Sequence, residues 1–372
     1  MAAAVRIAVL TPFPLQERAV KGGAERAARS VCDALLALGN ACVVLRSEVW
    51  HEPAAGIANP LDARYVGQWT TSSPVIETRA SAAQVRQLLG AVDLVVSVDR
   101  AFAAWETSAR RALLLSNLAY ANERTAADAR WDAVWVPSPY LADELRRRGC
   151  GRSIHVVPPA VGDGVEDRPP LPVLDRLSTQ LDAAGVARHR RLLFPHRADP
   201  GKGLTEVVEL LARLWREEST WHLVVSRHSH EGDGGEATLR AAFDLCEAFG
   251  VSEAVSWLPW LPAWAMPQLY DLGGCTIVAS QLPEAFSLVS LESLVAGVPV
   301  VARPVGNIAS LARRFASIHA VETIASTAGA NCVRTVAGRA PTPQERSLAS
   351  QDFSVDAHRS ALDSALRMVM GS

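Results

Sequence analysis

Arg191-Leu-Leu-Phe-Pro-His-Arg-Ala-Asp-Pro-Gly-Lys-Gly-Leu204 holds a strand, a glycine-rich turn and the start of a helix in one short stretch. Arg191 to Phe194 reads as a buried strand. Leu204 to Glu217 carries apolar residues at helical spacing, and His222 to Ser226 is again strand-like. A strand, a crossover helix and a second strand make a parallel β-α-β unit. The pattern continues with helix Ala237 to Phe249, strand Val255 to Leu258 and a short helix near Pro267 to Asp271. Strand Thr276 to Ala279, helix Ser287 to Ala296 and strand Val298 to Ala302 follow.

The first half has the same rhythm. Val5 to Leu10, Ala41 to Leu45, Leu94 to Val98, Ala112 to Leu115, Ala133 to Val136 and Ile154 to Val157 are the expected strands. Helix Ala24 to Leu38 ends at Gly39. Helix Pro139 to Arg148 has Ser138 as cap, proline at its first position and Gly149 as stop. Strands alternating with helices predict an α/β chain with two doubly wound, Rossmann-like domains. The expected first domain is 1–165, followed by a Pro-rich linker at 166–190 and a second domain at 191–350. A C-terminal helix in 351–372 is expected to pack back on the first domain. Ligands of such sheets sit at the carboxyl ends of the strands, so a cleft between the two domains is the expected site.

Composition narrows the function. Net charge is −2 without a polybasic block, which argues against a nucleic-acid partner and against bulk attraction to an acidic membrane. Arg146-Arg147-Arg148 closes a helix, where cations favour the dipole. No apolar run approaches the ~18 residues of a membrane span, although peripheral association stays open. Met1 to Leu10 lacks the architecture of a signal peptide. The six cysteines have no paired spacing and read as reduced thiols, so the expected location is cytoplasmic.

Only two of the 37 basic residues are lysines, Lys21 and Lys202, and each lies beside glycine. A flexible ammonium in a glycine turn at a helix start suits a phosphate. For Lys21 the alternative is drift in an Arg-rich chain. For Lys202, Arg197 lies five residues before it, and a rigid guanidinium fork with a mobile ammonium can clamp a diphosphate. Pro283-Glu-Ala-Phe-Ser-Leu-Val-Ser-Leu-Glu-Ser-Leu-Val-Ala-Gly-Val-Pro299 follows. Glu284 precedes an apolar helix and Glu292 lies in it. Eight residues at ~1.5 Å each would separate them by roughly 12 Å if wholly helical. One carboxylate can then accept from a sugar and the other from a ribose diol. The amides of Phe286, Ser287 and Leu288 would face phosphates. The alternative places Glu292 on a solvent face.

In this order, R-x4-K-G, P-E-x7-E and A-G-V-P-V-V-A resemble retaining GT-B glycosyltransferases of the GT4 type. Lys21-Gly22-Gly23-Ala24-Glu25 is similar to that family's glycine loop, with Gly23 a donor-binding candidate. Trp135-Val-Pro-Ser138-Pro-Tyr140 and Ile154-His-Val-Val-Pro-Pro159 resemble the end of its first domain. The resemblance implies a nucleotide-diphosphate sugar donor, a UDP- or GDP-sugar, with Arg197 and Lys202 on the diphosphate, Glu284 on the sugar and Glu292 on the ribose. It implies a small-molecule or glycan acceptor on the first domain, with Lys21, Asn117 and Tyr120 as candidates. No cofactor or metal is implied, and no Asp-x-Asp motif is present. The family's first-domain histidine is missing from Asp93 to Arg100 and from Leu115 to Tyr120, where Asp99, Asn117 or Tyr120 are the possible stand-ins. Ser287 replaces a usual glycine. Residues near Leu261 would frame the base, and Gly306-Asn307 would approach the donor. Trp257, Trp260 and Trp264 read as core or hinge packing. His228-Ser-His230 with Glu231 and Asp233 has metal-ligand types but lies in an expected loop. The competing readings are a catalytically degenerate nucleotide-sugar-binding subunit, and an epimerase or phosphorylase on the same fold.

Overall fold

The computed structural model describes residues 4–11, 23–47, 63–68, 78–99, 108–117, 126–127, 130–161, 171–226 and 235–371. Lys21, Tyr120 and the segment around His228 and His230 lie outside the described residues. The chain divides into two units, one of Met1–Ala160 with Phe353–Ser372 and one of Val161–Asp352.

The first unit holds strands β1 (Arg6–Thr11), β2 (Ala41–Ser47), β3 (Ala63–Gln68), β4 (Thr78–Arg79), β5 (Leu94–Val98), β6 (Arg110–Leu114), β7 (Ala133–Val136) and β8 (Ser153–Val156). Their order is β4-β3-β2-β1-β5-β6-β7-β8. β2, β1, β5, β6, β7 and β8 pair in parallel in that order, and β3 and β4, which the sequence reading did not list, join antiparallel at the β2 edge. Helices α1 (Gly23–Ala37), α2 (Ala82–Leu89) and α3 (Pro139–Arg147) cover the sheet. Side chains alternate across a strand, so Ile7 and Val9 face one layer while Ala8 and Leu10 face the other. Ile7 and Val9 pack with Val31 and Leu35 of α1, whereas Ala8 and Leu10 pack with Val85 and Leu89 of α2.

The second unit has strands β9 (Arg191–Phe194), β10 (His222–Ser226), β11 (Val255–Leu258), β12 (Cys275–Val278), β13 (Val300–Ala302) and β14 (Ile318–Ala320). All pair in parallel in the order β11-β10-β9-β12-β13-β14. Its helices are α4 (Pro172–Ala183), α5 (Leu204–Glu217), α6 (Gly235–Phe249), α7 (Met266–Leu272), α8 (Leu288–Val295), α9 (Asn307–Arg314), α10 (Thr327–Val336) and α11 (Pro343–Asp352). The last helix of the chain, α12 (Val355–Met370), belongs to the first unit, where Leu362, Leu366 and Val369 join the core beneath α1. The segment expected as a linker instead contains α4. Its Leu174, Leu177 and Leu181 pack against Leu258, Leu269 and Tyr270. The Pro-rich approach hid this apolar stripe, since proline at the first helical position starts a helix as readily as it ends one.

Strand order reverses between β9 and β12, and this is where the second unit's turns come together. Gly203 caps α5 with φ +79°, and a Cβ there would lie 2.3 Å from the Ala279 carbonyl oxygen just past β12. Gln281 N–H donates to the Gly201 carbonyl at 2.7 Å. Behind them Glu206, in the first turn of α5, accepts from Arg303 Nη2 at 2.6 and 2.8 Å and from the Ile324 amide at 2.7 Å. Replacing Gly203 with Ala adds a clash and a left-handed backbone penalty of order 1–3 kcal/mol. Urea unfolding of Gly203→Ala is expected to show a loss of at least about 2 kcal/mol; an unchanged midpoint would contradict this packing.

Candidate active site

Three loops leave the carboxyl ends of β9, β12 and β13 and meet. The first carries His196, Arg197, Asp199 and Lys202, the second Ser280 and Glu284, and the third Gly306 and Asn307. Lys202 Nζ lies 2.6 Å from Glu284 Oε1. Ser280 Oγ also donates to that carboxylate oxygen. Arg197 Nη2 lies 2.8 Å from Asp199 Oδ2, and the Lys202 amide donates to the Asp199 carbonyl at 3.1 Å. The two cations seen in the sequence therefore share one loop, and one of them touches the carboxylate expected to serve beside it.

The third loop fixes the backbone of the second. Gly306 has φ +62° and forms an isolated parallel bridge with Glu284. A Cβ on Gly306 would lie 2.4 Å from the Glu284 carbonyl oxygen. The Asn307 amide donates to that carbonyl at 2.7 Å, and its Nδ2 donates to the Phe286 carbonyl at 2.9 Å. Asn307 is only 4% exposed. The residue expected to approach a donor thus also holds the backbone of the Glu284 loop.

Charge in the site is balanced internally. Burial pushes the Glu284 carboxyl up, but the Lys202 ammonium and the hydrogen bonds from Lys202 and Ser280 outweigh it, so it titrates below its ordinary range. His196 is 7% exposed. Burial, followed by the charge of Lys202, lowers its pKa to about 3 against the opposing pull of Glu284. It is a neutral imidazole at neutral pH. Its Nε2 is buried without a hydrogen-bond partner, as is Asp199 Oδ1.

Glu292 lies between buried Leu291 and Leu294 on α8 and accepts from the Tyr270 hydroxyl at 3.1 Å. α8 begins at Leu288, so only part of the Glu284-to-Glu292 segment is helical and the 12 Å spacing does not apply. Ser287 precedes α8 in the left-handed region, at φ 69°, and no side-chain hydrogen bond caps the helix. Its Oγ pairs with Ser290 Oγ at 2.7 Å, while Phe286 is buried. Leu261 is a core residue beside Leu258 and Leu269. Trp257 packs on Phe243 with ring centroids 4.3 Å apart, and Trp264 borders the α4 core.

In the first unit Asp99 stands just past β5 at φ 56°. Its carboxylate accepts from the Ser116 amide at 2.6 Å and from the Ser116 hydroxyl, to which Asn117 Nδ2 also donates at 3.1 Å. Asp99 and Asn117 thus come together through Ser116. Gly23 is the exposed first residue of α1. Among the described residues, no three His, Cys, Asp or Glu side chains are grouped to hold a metal ion.

Sequence reading missed Ser280, Tyr270 and His196. Tyr270 meets Glu292 across 22 positions, which no local pattern carries, and Ser280 meets Glu284 four positions on only through the turn of the loop between them. His196 stood in plain view, but nothing in the sequence shows that it is buried.

The architecture is that of known structures. Sucrose-phosphate synthase from Thermosynechococcus elongatus superposes with a TM-score of 0.69 at 15% identity over 99% of both chains. HepE of Anabaena, solved in complex with UDP-glucose, gives 0.67 at 17% identity over 97% of this chain and 99% of that one. Trehalose-6-phosphate synthase OtsA gives 0.70 at 12% identity over 97% and 99%. The fold is therefore GT-B. Residues 185–328, within the second unit, match the family of glycosyl transferases group 1. D-inositol 3-phosphate glycosyltransferase of Nocardia farcinica is 29% identical over 191 residues, 51% of this chain and 40% of that protein. The enzyme of that name from Acidothermus cellulolyticus is 33% identical over 200 residues, 50% and 41% respectively. The chain spans about two fifths of the length of these curated relatives.

The depressed pKa of His196 has a consequence for stability. The unfolded chain takes up a proton near pH 6.5, while the folded chain resists until about 3. Acid therefore favours unfolding throughout that window. One such group contributes a slope of up to about 1.4 kcal/mol per pH unit. His222, lowered to about 4 chiefly by burial, adds its own slope between pH 6.5 and 4. Denaturant titrations from pH 7 to 4.5 are expected to give His196→Gln a shallower loss of stability than wild type. Parallel slopes would show that His196 titrates normally.

Proposed function

We propose that this protein is a metal-independent, retaining glycosyltransferase. It moves a sugar from a UDP- or GDP-sugar to a hydroxyl of a small-molecule or glycan acceptor in the cytoplasm. The observation that carries this reading is the 2.6 Å contact between Lys202 and Glu284 at the strand-order reversal. It joins a phosphate-binding cation to a hydroxyl-binding carboxylate where a doubly wound sheet takes its ligand. Arg197 and Lys202 bind the diphosphate, Glu284 the donor sugar, and Glu292, held by Tyr270, the ribose. The uncapped start of α8 supplies amides to the phosphates.

Support comes from the group 1 match, from relatives named as D-inositol 3-phosphate glycosyltransferases and from a neighbour solved with UDP-glucose. In the reaction the bond from the anomeric carbon to the diphosphate oxygen breaks, and that oxygen keeps the electron pair. The acceptor oxygen forms the new bond on the same face, which preserves configuration, and its proton passes to the departing phosphate. The growing charge on the diphosphate falls on Arg197, Lys202 and the α8 amides. Each preorganised donor contributes about 3 kcal/mol at the transition state. Acceptor recognition is assigned to the first unit, around Asn117.

Release of nucleoside diphosphate across a panel of donors and acceptors tests the reading. Lys202→Ala and Glu284→Ala are each expected to lower kcat/KM more than tenfold, about 1.4 kcal/mol. Turnover unaffected by either substitution would overturn the assignment. Nucleotide binding without turnover would identify a binding subunit instead.

A further inference from the structure

Buried polar atoms are nearly always hydrogen-bonded, and leaving one unpaired costs about 1–3 kcal/mol. His196 Nε2 breaks this rule inside the candidate site. The imidazole directly precedes Arg197, and its ring lies 5.2 Å from that of Phe194, the last residue of β9. The charges of Lys202, Glu284 and Arg197 all act on it. A neutral imidazole offers one N–H and one bare nitrogen. Near two cations, the partner that fits an N–H is an oxygen of an anion. Glu284 is not that partner here, since Nε2 has no hydrogen-bond partner and Glu284 Oε1 is engaged by Lys202 and Ser280.

We propose that His196 is a third, uncharged ligand of the diphosphate, its Nε2–H donating to a phosphate oxygen held between Arg197 and Lys202. This rests on the donor-site reading given above and deepens it. The bond adds a directional contact without adding charge. It strengthens as the bond to the sugar breaks and charge collects on the phosphate.

Calorimetry with UDP, GDP, uridine and guanosine tests the assignment in wild type, His196→Phe and His196→Asn. His196→Phe keeps a planar ring beside Phe194 and removes the donor. It is expected to weaken the preferred diphosphate about tenfold while leaving its nucleoside unchanged, and His196→Asn is expected to recover part of the loss. Kinetically, His196→Phe is expected to lower kcat more than it raises KM. Equal diphosphate binding by His196→Phe and wild type would overturn the proposal. So would equal weakening of diphosphate and nucleoside, which marks a structural role. Wild type that binds neither diphosphate would overturn the donor-site reading, and this assignment with it. Should His196→Phe fail to fold, the imidazole nitrogens of wild type can be followed by NMR as UDP or GDP is added. A shift at His196 Nε2 supports the bond, and an unmoved signal at saturation refutes it.

Discussion

The second unit depends on one contact that joins residues 82 positions apart, the ion pair of Lys202 and Glu284. It can form only because β9 and β12 are neighbours at the reversal of strand order, and because Gly203 brings its turn against Ala279. Gly306 does the same on the other side, bringing its backbone against Glu284. Two glycines without room for a Cβ therefore set the spacing of the cation and the carboxylate. The buried pair of Glu206 and Arg303 ties the same three loops together from behind.

In this arrangement each cation proposed to bind the diphosphate already has an anion. Lys202 has Glu284, and Arg197 has Asp199. Such pairs offset the cost of holding charges in a partly dry site. They also set the terms of ligand binding, because a diphosphate must offer each cation more than a carboxylate does. A doubly charged group with several acceptor oxygens can, whereas a single weak anion cannot. On the proposed reading, selectivity for phosphorylated ligands follows from exchange of partners rather than from bare positive charge.

Most of the architecture was legible in the sequence because parallel strands buried on both faces read as continuous apolar runs, as in Leu94–Val98 and His222–Ser226. The scarcity of lysine singled out Lys202, and glycine placement marked the turn around it. The antiparallel edge of β3 and β4 was not legible, since short edge strands carry little pattern. Nor was α4, whose apolar stripe lay behind prolines. The hold of the Asn307 side-chain amide on the backbone of another loop was not legible either, since a polar residue at a helix start suggests only a ligand contact. Burial of His196 and the reach of Tyr270 to Glu292 are tertiary facts with no local signature, and the Ser280 contact to Glu284 depends on how one loop turns.

The central claim is that the strand-order reversal of the second unit is a diphosphate site. A crystal structure of the protein with bound UDP or GDP measures this directly. The account predicts both phosphates between the 196–203 loop and the start of α8, with Lys202 turned from Glu284 toward them. Phosphates bound elsewhere, or at that place with Lys202 still held by Glu284 and Arg197 by Asp199, would contradict it.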